Sequence, residues 1–133
     1  MNKATTENLT SLLEQAQELM AGILRRFEER LKALVAEAAD PTAQHWTREL
    51  AAGQTRVELR SVHRQIAYAI RIMQLRDVIS EGEAAPISQA LNRLLAESLD
   101  ETERRLQEAR RDRRTRRSGA AVAHRQRSST DPG

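Results

Sequence analysis

Cysteine is absent from this sequence, which excludes disulfides, thiolate metal sites and a cysteine nucleophile together. Aromatic residues are almost as scarce: Phe27, Trp46 and Tyr68 are the whole set, 2% of the chain. With 31% charged residues beside them, this is the composition of extended helical proteins rather than of sandwiches or barrels. The glycines, Gly22, Gly53, Gly82, Gly119 and Gly133, are never close neighbours, so no glycine-rich loop can cradle a nucleotide phosphate. Long apolar runs are missing too. Glu14, Gln15, Gln17 and Glu18 interrupt the N-terminal leucines, which leaves neither a signal-peptide core nor a membrane span and points to a soluble, cytoplasmic protein.

What is present is helical periodicity. The length of 133 residues suits one domain with a modest core. From Thr6 to Ala39 the apolar residues, from Leu9 through Ala16, Ile23, Phe27 and Leu31 to Val35 and Ala38, fall on one half of a helical wheel at about 100° per residue. Asp40-Pro41 then ends one helix and starts the next, because Pro41 lacks the amide that a helix interior needs but suits a first turn, with Asp40 placed to cap it. The second helix, from Pro41 to about Ser80, carries two apolar stripes. Leu59, Val62, Ile66, Ala69, Ile70 and Met73 form one. Trp46, Leu50, Val57, Tyr68, Ile72, Leu75 and Ile79 form the other, roughly opposite. A helix apolar on two sides is expected to have neighbours on two sides. Gly82 and Pro86 mark the next break. A third helix follows from about Pro86 to Ala109, extending toward Arg117, with Ile87, Leu91, Leu94, Leu95, Ser98, Thr102, Leu106 and Ala109 at coiled-coil-like spacing. The fold class expected is all-α: three long helices in an elongated up-down-up bundle or antiparallel coiled coil, with a disordered basic C-terminal tail.

The net charge of +3 hides an uneven layout. Residues 81–103 hold 1 basic and 6 acidic groups, whereas residues 104–133 hold 10 basic and 3 acidic groups. All ten are arginines of the stretch Arg104–Arg127, in a chain where only Lys3 and Lys32 are lysine. From Arg110 the apolar seam ends, and Arg110, Arg111, Arg113, Arg114, Arg116 and Arg117 spread around the wheel. Such a cluster can hold nucleic-acid phosphates by displacing counterions, face an acidic partner, or simply solubilise the tail. Without interleaved aromatics or a recognition-helix signature, any nucleic-acid contact would be weakly sequence-specific.

A second basic rail, Arg56, Arg60, Arg64 and Arg71, lies between the two stripes of the second helix. It could follow a phosphate backbone, but the commoner use of such arginines is to cover an apolar seam and pair with acids of an adjacent helix, here Glu97, Asp100, Glu101 and Glu103. Trp46 has two readings as well, a cap on the end of the core or an anchor for a partner helix.

No constellation for catalysis emerges. His45, His63 and His124 are scattered, His45 and Glu49 alone do not make a metal site, and the carboxylate pairs fall on solvated helix faces. The sequence therefore predicts no enzyme, no cofactor, no metal and no small-molecule substrate. It predicts a helical protein–protein interaction protein, an adaptor, scaffold or regulator that self-associates or takes another protein partner through Trp46, Leu50, Val57, Tyr68, Ile72 and Leu75. The alternative is a nucleic-acid-associated accessory protein that uses the arginine-rich tail.

Overall fold

The computed structural model describes the backbone of residues 3–36 and 41–129, and within them the side chains of residues 7–36, 43 and 45–112. Three helices follow one another: α1 over Lys3–Ala36, α2 over Pro41–Leu75 and α3 over Glu81–Ser129. Every pair of them is in contact. The chain is all-α, and α2 runs unbroken through Gly53. The expected Asp40 cap lies outside the described residues.

Three apolar layers show how the helices run. Leu9 and Ala16 of α1 pack with Ile66 and Ile70 of α2 and Leu91 of α3 at one end. Met20 and Ile23 meet Leu59 in the middle, against half-buried Leu94, Leu95 and Leu99. Phe27 and Leu31 meet Ala51, Ala52, Leu106 and Ala109 at the other end. As residue numbers rise in α1 they fall in α2 and rise again in α3, so the topology is up-down-up, the arrangement that short connections favour. Small alanines of α2, Ala51 and Ala52, pack with the largest side chain of α1, Phe27, in this last layer, where their size leaves room for the ring.

The turn between α2 and α3 lies earlier than Gly82 suggests. Asp77 adopts a left-handed backbone with φ of 57°. The Val78 amide bonds back to the Met73 carbonyl at 2.9 Å and the Asp77 amide to the Gln74 carbonyl at 3.1 Å. This pair of bonds is the Schellman ending, with Asp77 where glycine is the usual residue. Ser80 then caps α3: the Glu83 amide donates to Ser80 Oγ at 3.2 Å and Ser80 Oγ donates to Glu83 Oε1 at 3.1 Å. The capping box sets the helix start at Glu81, so Gly82 and Pro86 lie inside α3 rather than outside it. Ile79, assigned by periodicity to the outer stripe, is buried, because the chain has already left the helix and turns it into the core.

The backbone of α3 continues past Ala109, where the apolar seam ends, as helix through Ser129. The disorder expected of the tail from its composition concerns a stretch of which only the backbone, to Ser129, is described, and that backbone is helical. No proline interrupts it between Pro86 and Pro132, and Ala120, Ala121 and Ala123 are strong helix formers. Among the described residues no helix is long and apolar enough to cross a membrane.

Candidate interaction face on the second helix

Both neighbours of α2 pack on one side of it. Arg26 of α1 pairs with Glu58 at 3.6 Å, and Arg30 donates to Gln54 at 3.1 Å. On the other flank Arg56 Nε donates to Glu103 of α3 at 2.8 Å, and His63 Nε2 meets Asn92 Oδ1 at 2.7 Å. Between those flanks Leu59, Ile66 and Ile70 are buried. The face opposite them meets neither helix.

That face carries the second apolar stripe. Trp46, Leu50, Val57, Tyr68 and Leu75 are 63–69% exposed. With Gly53, Arg60, Arg64 and Arg71 they fall within about 80° of one another on the wheel, at spacings of three and four residues. Leu75 lies 29 residues beyond Trp46, so the strip is about 44 Å long at ~1.5 Å per residue. Of the two sets of neighbours expected for a helix with two apolar faces, the chain supplies one: α1 and α3 both choose the stripe rich in leucine and isoleucine. Ile72 sits at the edge of the strip, half-buried, and lines an open groove with Leu12 and Met73 beside Tyr68. Leu19 of α1, 52% exposed, and Gly22 line a second indentation farther along the α1–α2 seam.

Trp46 is not a cap on the core. It is 69% exposed, with the His45 ring at its edge, the two ring centres 6.0 Å apart. The end of the core is closed instead by a residue that sequence reasoning passed over. Arg48 is 3% exposed and its Nη1 donates to the Ala109 carbonyl at 2.9 Å. An arginine in a basic chain gives no signal of burial, and only the position of Ala109 on α3 reveals it.

Of the basic rail, Arg56 alone finds the acidic segment of α3, through Glu103. Arg60, Arg64 and Arg71 are exposed and have no ion-pair partner among the described residues. Helical geometry explains the split, since Arg56 is turned toward the α3 flank and the other three toward the open face. Gly53 belongs to this face as well. A Cβ placed on it would meet nothing within 4 Å, so no contact inside the chain requires glycine there, although glycine costs a helix about 1 kcal/mol relative to alanine.

Three arginines of the described part of the stretch, Arg104, Arg105 and Arg110, are held by carboxylates. Arg104 binds Glu101 through Nε at 2.9 Å and Nη2 at 2.6 Å, and Glu108 through Nη1 at 2.6 Å. Hydrogen bonding from Arg104 holds the Glu101 carboxyl below the ordinary carboxylate range, against a partial desolvation that raises it. Arg105 bridges Glu101 at 3.0 Å and Glu28 of α1 at 3.5 Å. Arg110 pairs with Glu49 of α2, so this arginine has a packing role that the seam pattern did not reveal. The side chains of Arg113, Arg114, Arg116 and Arg117 lie outside the described residues. Glu49, one turn from His45, is thus held by an arginine. Among the described residues no three histidine or carboxylate groups gather as a metal site.

No protein-family model, curated protein or solved structure matches this chain. The outer face of α2 is accordingly read from its own chemistry.

Proposed function

We propose that this chain is a non-enzymatic interaction protein whose working surface is the outer face of α2, and that it acts as an adaptor, scaffold or regulator by packing a helix of another polypeptide on that face. One observation carries the reading: five large apolar side chains, Trp46, Leu50, Val57, Tyr68 and Leu75, line a single helix face and stand 63–69% exposed. Single exposed apolar residues need no explanation, but five aligned on one helix face, 4, 7, 11 and 7 residues apart with Gly53 and three arginines between them, mark an interaction site, and a rigid helix presenting apolar anchors on one face is the helix-in-groove mode of recognition. Tryptophan and tyrosine, present in it as Trp46 and Tyr68, are residue types that often dominate such interfaces.

Paired charge substitutions test this. Leu50→Glu with Val57→Glu should leave the far-ultraviolet circular dichroism and the thermal midpoint of the monomer nearly unchanged, since neither side chain is in the core. It should remove association, read by light scattering after size exclusion and by binding of added amphipathic helices. A chain that is monomeric at every concentration and binds no helix before substitution would sink the proposal. Nucleic-acid binding, the competing reading, would appear in the same fractions as absorbance at the nucleic-acid wavelength, lost in high salt.

A further inference from the structure

Resting on the reading of α2 as an interaction surface, we infer that the occupant of this face is a second copy of the same chain, its α2 packed antiparallel on the first about a twofold axis between Arg60 and Ser61.

Gly53 opens the argument. It lies on the outer face, nothing within 4 Å of its missing Cβ explains it, and a partner side chain seated over it would. In a twofold interface residue i meets residue j and j meets i. An axis midway between residues 60 and 61 sets Gly53 at the height of Tyr68 of the second copy, the smallest position of the strip beneath one of its largest side chains. The same axis sets Trp46 against Leu75, so the two ends of the strip close together. Sliding the copies by one heptad strands one end. In one direction Leu75 passes the start of α2 at Pro41, and in the other Trp46 passes its end at Leu75.

Charge disfavours the parallel alternative. Parallel copies in register would oppose Arg60, Arg64 and Arg71 to themselves, three like pairs on one seam, each unfavourable. In the antiparallel register Arg64 lies against Val57 and Arg71 against Leu50, where an arginine stem covers apolar surface and its head reaches the flank. Glu58 and Glu49 of the facing copy lie within one residue of Arg64 and Arg71 in height, each shared with its own chain's Arg26 and Arg110. The remaining like charges, Arg60 and Arg64 of both copies, surround the axis. Their repulsion is screened by salt, so this dimer should tighten as salt is added. A partner helix bearing carboxylates over the same arginines should loosen instead.

Absence of cysteine allows a direct test on the full chain. Gly53→Cys and Tyr68→Cys are made singly and together, helicity is checked for each, and the variants are oxidised. The double variant should run as a covalent dimer on a non-reducing gel. Neither single variant should, because two copies of residue 53 are then about 22 Å apart along the axis, far beyond the ~7 Å that a disulfide can bridge between Cα atoms. Sedimentation equilibrium of the unsubstituted chain should show a dimer whose association constant rises several-fold from low to high salt. Cross-linking of a single variant, a dimer whose double variant fails to cross-link, or association that weakens with salt would overturn the pairing while leaving α2 an interaction surface. A monomer that binds a synthetic glutamate-bearing amphipathic helix would overturn the second copy as occupant and keep the broader reading. A monomer that binds no helix would remove both.

Discussion

Asp77 and Trp46 show how far a single position can depart from what its residue type suggests. Asp77 holds φ at 57°, a region in which a Cβ is crowded by the backbone and only glycine, and less readily asparagine and aspartate, is comfortable. The Schellman bonds of Val78 and Asp77 to the end of α2 hold it there. Asp77→Gly should therefore stabilise the fold by about 1 kcal/mol, and Asp77→Val should destabilise it, both measurable by urea unfolding. Trp46 makes the complementary point. It has the largest side chain in the sequence and the core does not use it, whereas Phe27 is fully buried between Ala51, Ala52 and Leu106. Phe27→Ala should cost about 3–5 kcal/mol. Trp46→Ala, measured at dilution where the chain is monomeric, should cost no more than about 0.5 kcal/mol.

At the scale of the element, α3 contains its own electrostatic brace. Arg104 and Arg105 both reach Glu101 and Glu108 one turn away, and Arg105 also ties α3 to Glu28 of α1. Folding lowers the proton affinity of Glu101, chiefly through the Arg104 hydrogen bonds. Its contribution to stability is therefore complete above the unfolded carboxylate pKa of about 4.3 and is lost as pH falls through the lower folded value. Stability measured by chemical unfolding across the acid range should fall in that window. Glu101→Gln should flatten the fall while changing little of the pH dependence above it. The helix boundaries make a related point about local chemistry. Pro41 marks the start of α2 as its residue type predicts, and the Ser80–Glu83 box starts α3. The end of α2 carries no glycine, so the left-handed aspartate there was invisible to a reading that looked for Gly82.

Across the whole molecule, the basic C-terminal stretch joins the bundle farther along than the apolar seam does. Arg110 pairs with Glu49 across the α2–α3 interface, so a cut after Ala109 removes this tertiary contact and a cut after Asp112 keeps it. Truncation after Asp112 should leave thermal stability and self-association intact. Truncation after Ala109 should lower stability by up to about 1 kcal/mol, the upper range for a partly exposed ion pair. Differential scanning calorimetry of the two proteins separates them. Nucleic-acid retardation, if the full chain shows any, should disappear with the longer of the two products as well, because six of the ten arginines of the stretch, Arg113 to Arg127, lie beyond it.

The sequence by itself determined that the chain is helical, that there are three helices, most of the inner-face residues of α1 and α3, though Leu19 of the apolar half of α1 is 52% exposed, and that α2 has two apolar stripes. These are angular properties of one helix, readable from spacing because each residue turns the wheel by about 100° whatever surrounds it. Only the tertiary structure decided which stripe of α2 the bundle buries, that both neighbours pack on that side, that Arg48 closes the core while Trp46 stands outside, and which arginines find carboxylates. Those outcomes depend on the register between helices that are distant in sequence, set by how Phe27 fits over Ala51 and Ala52 and how Leu9 fits against Ile66 and Ile70. Periodicity within one helix does not contain that register.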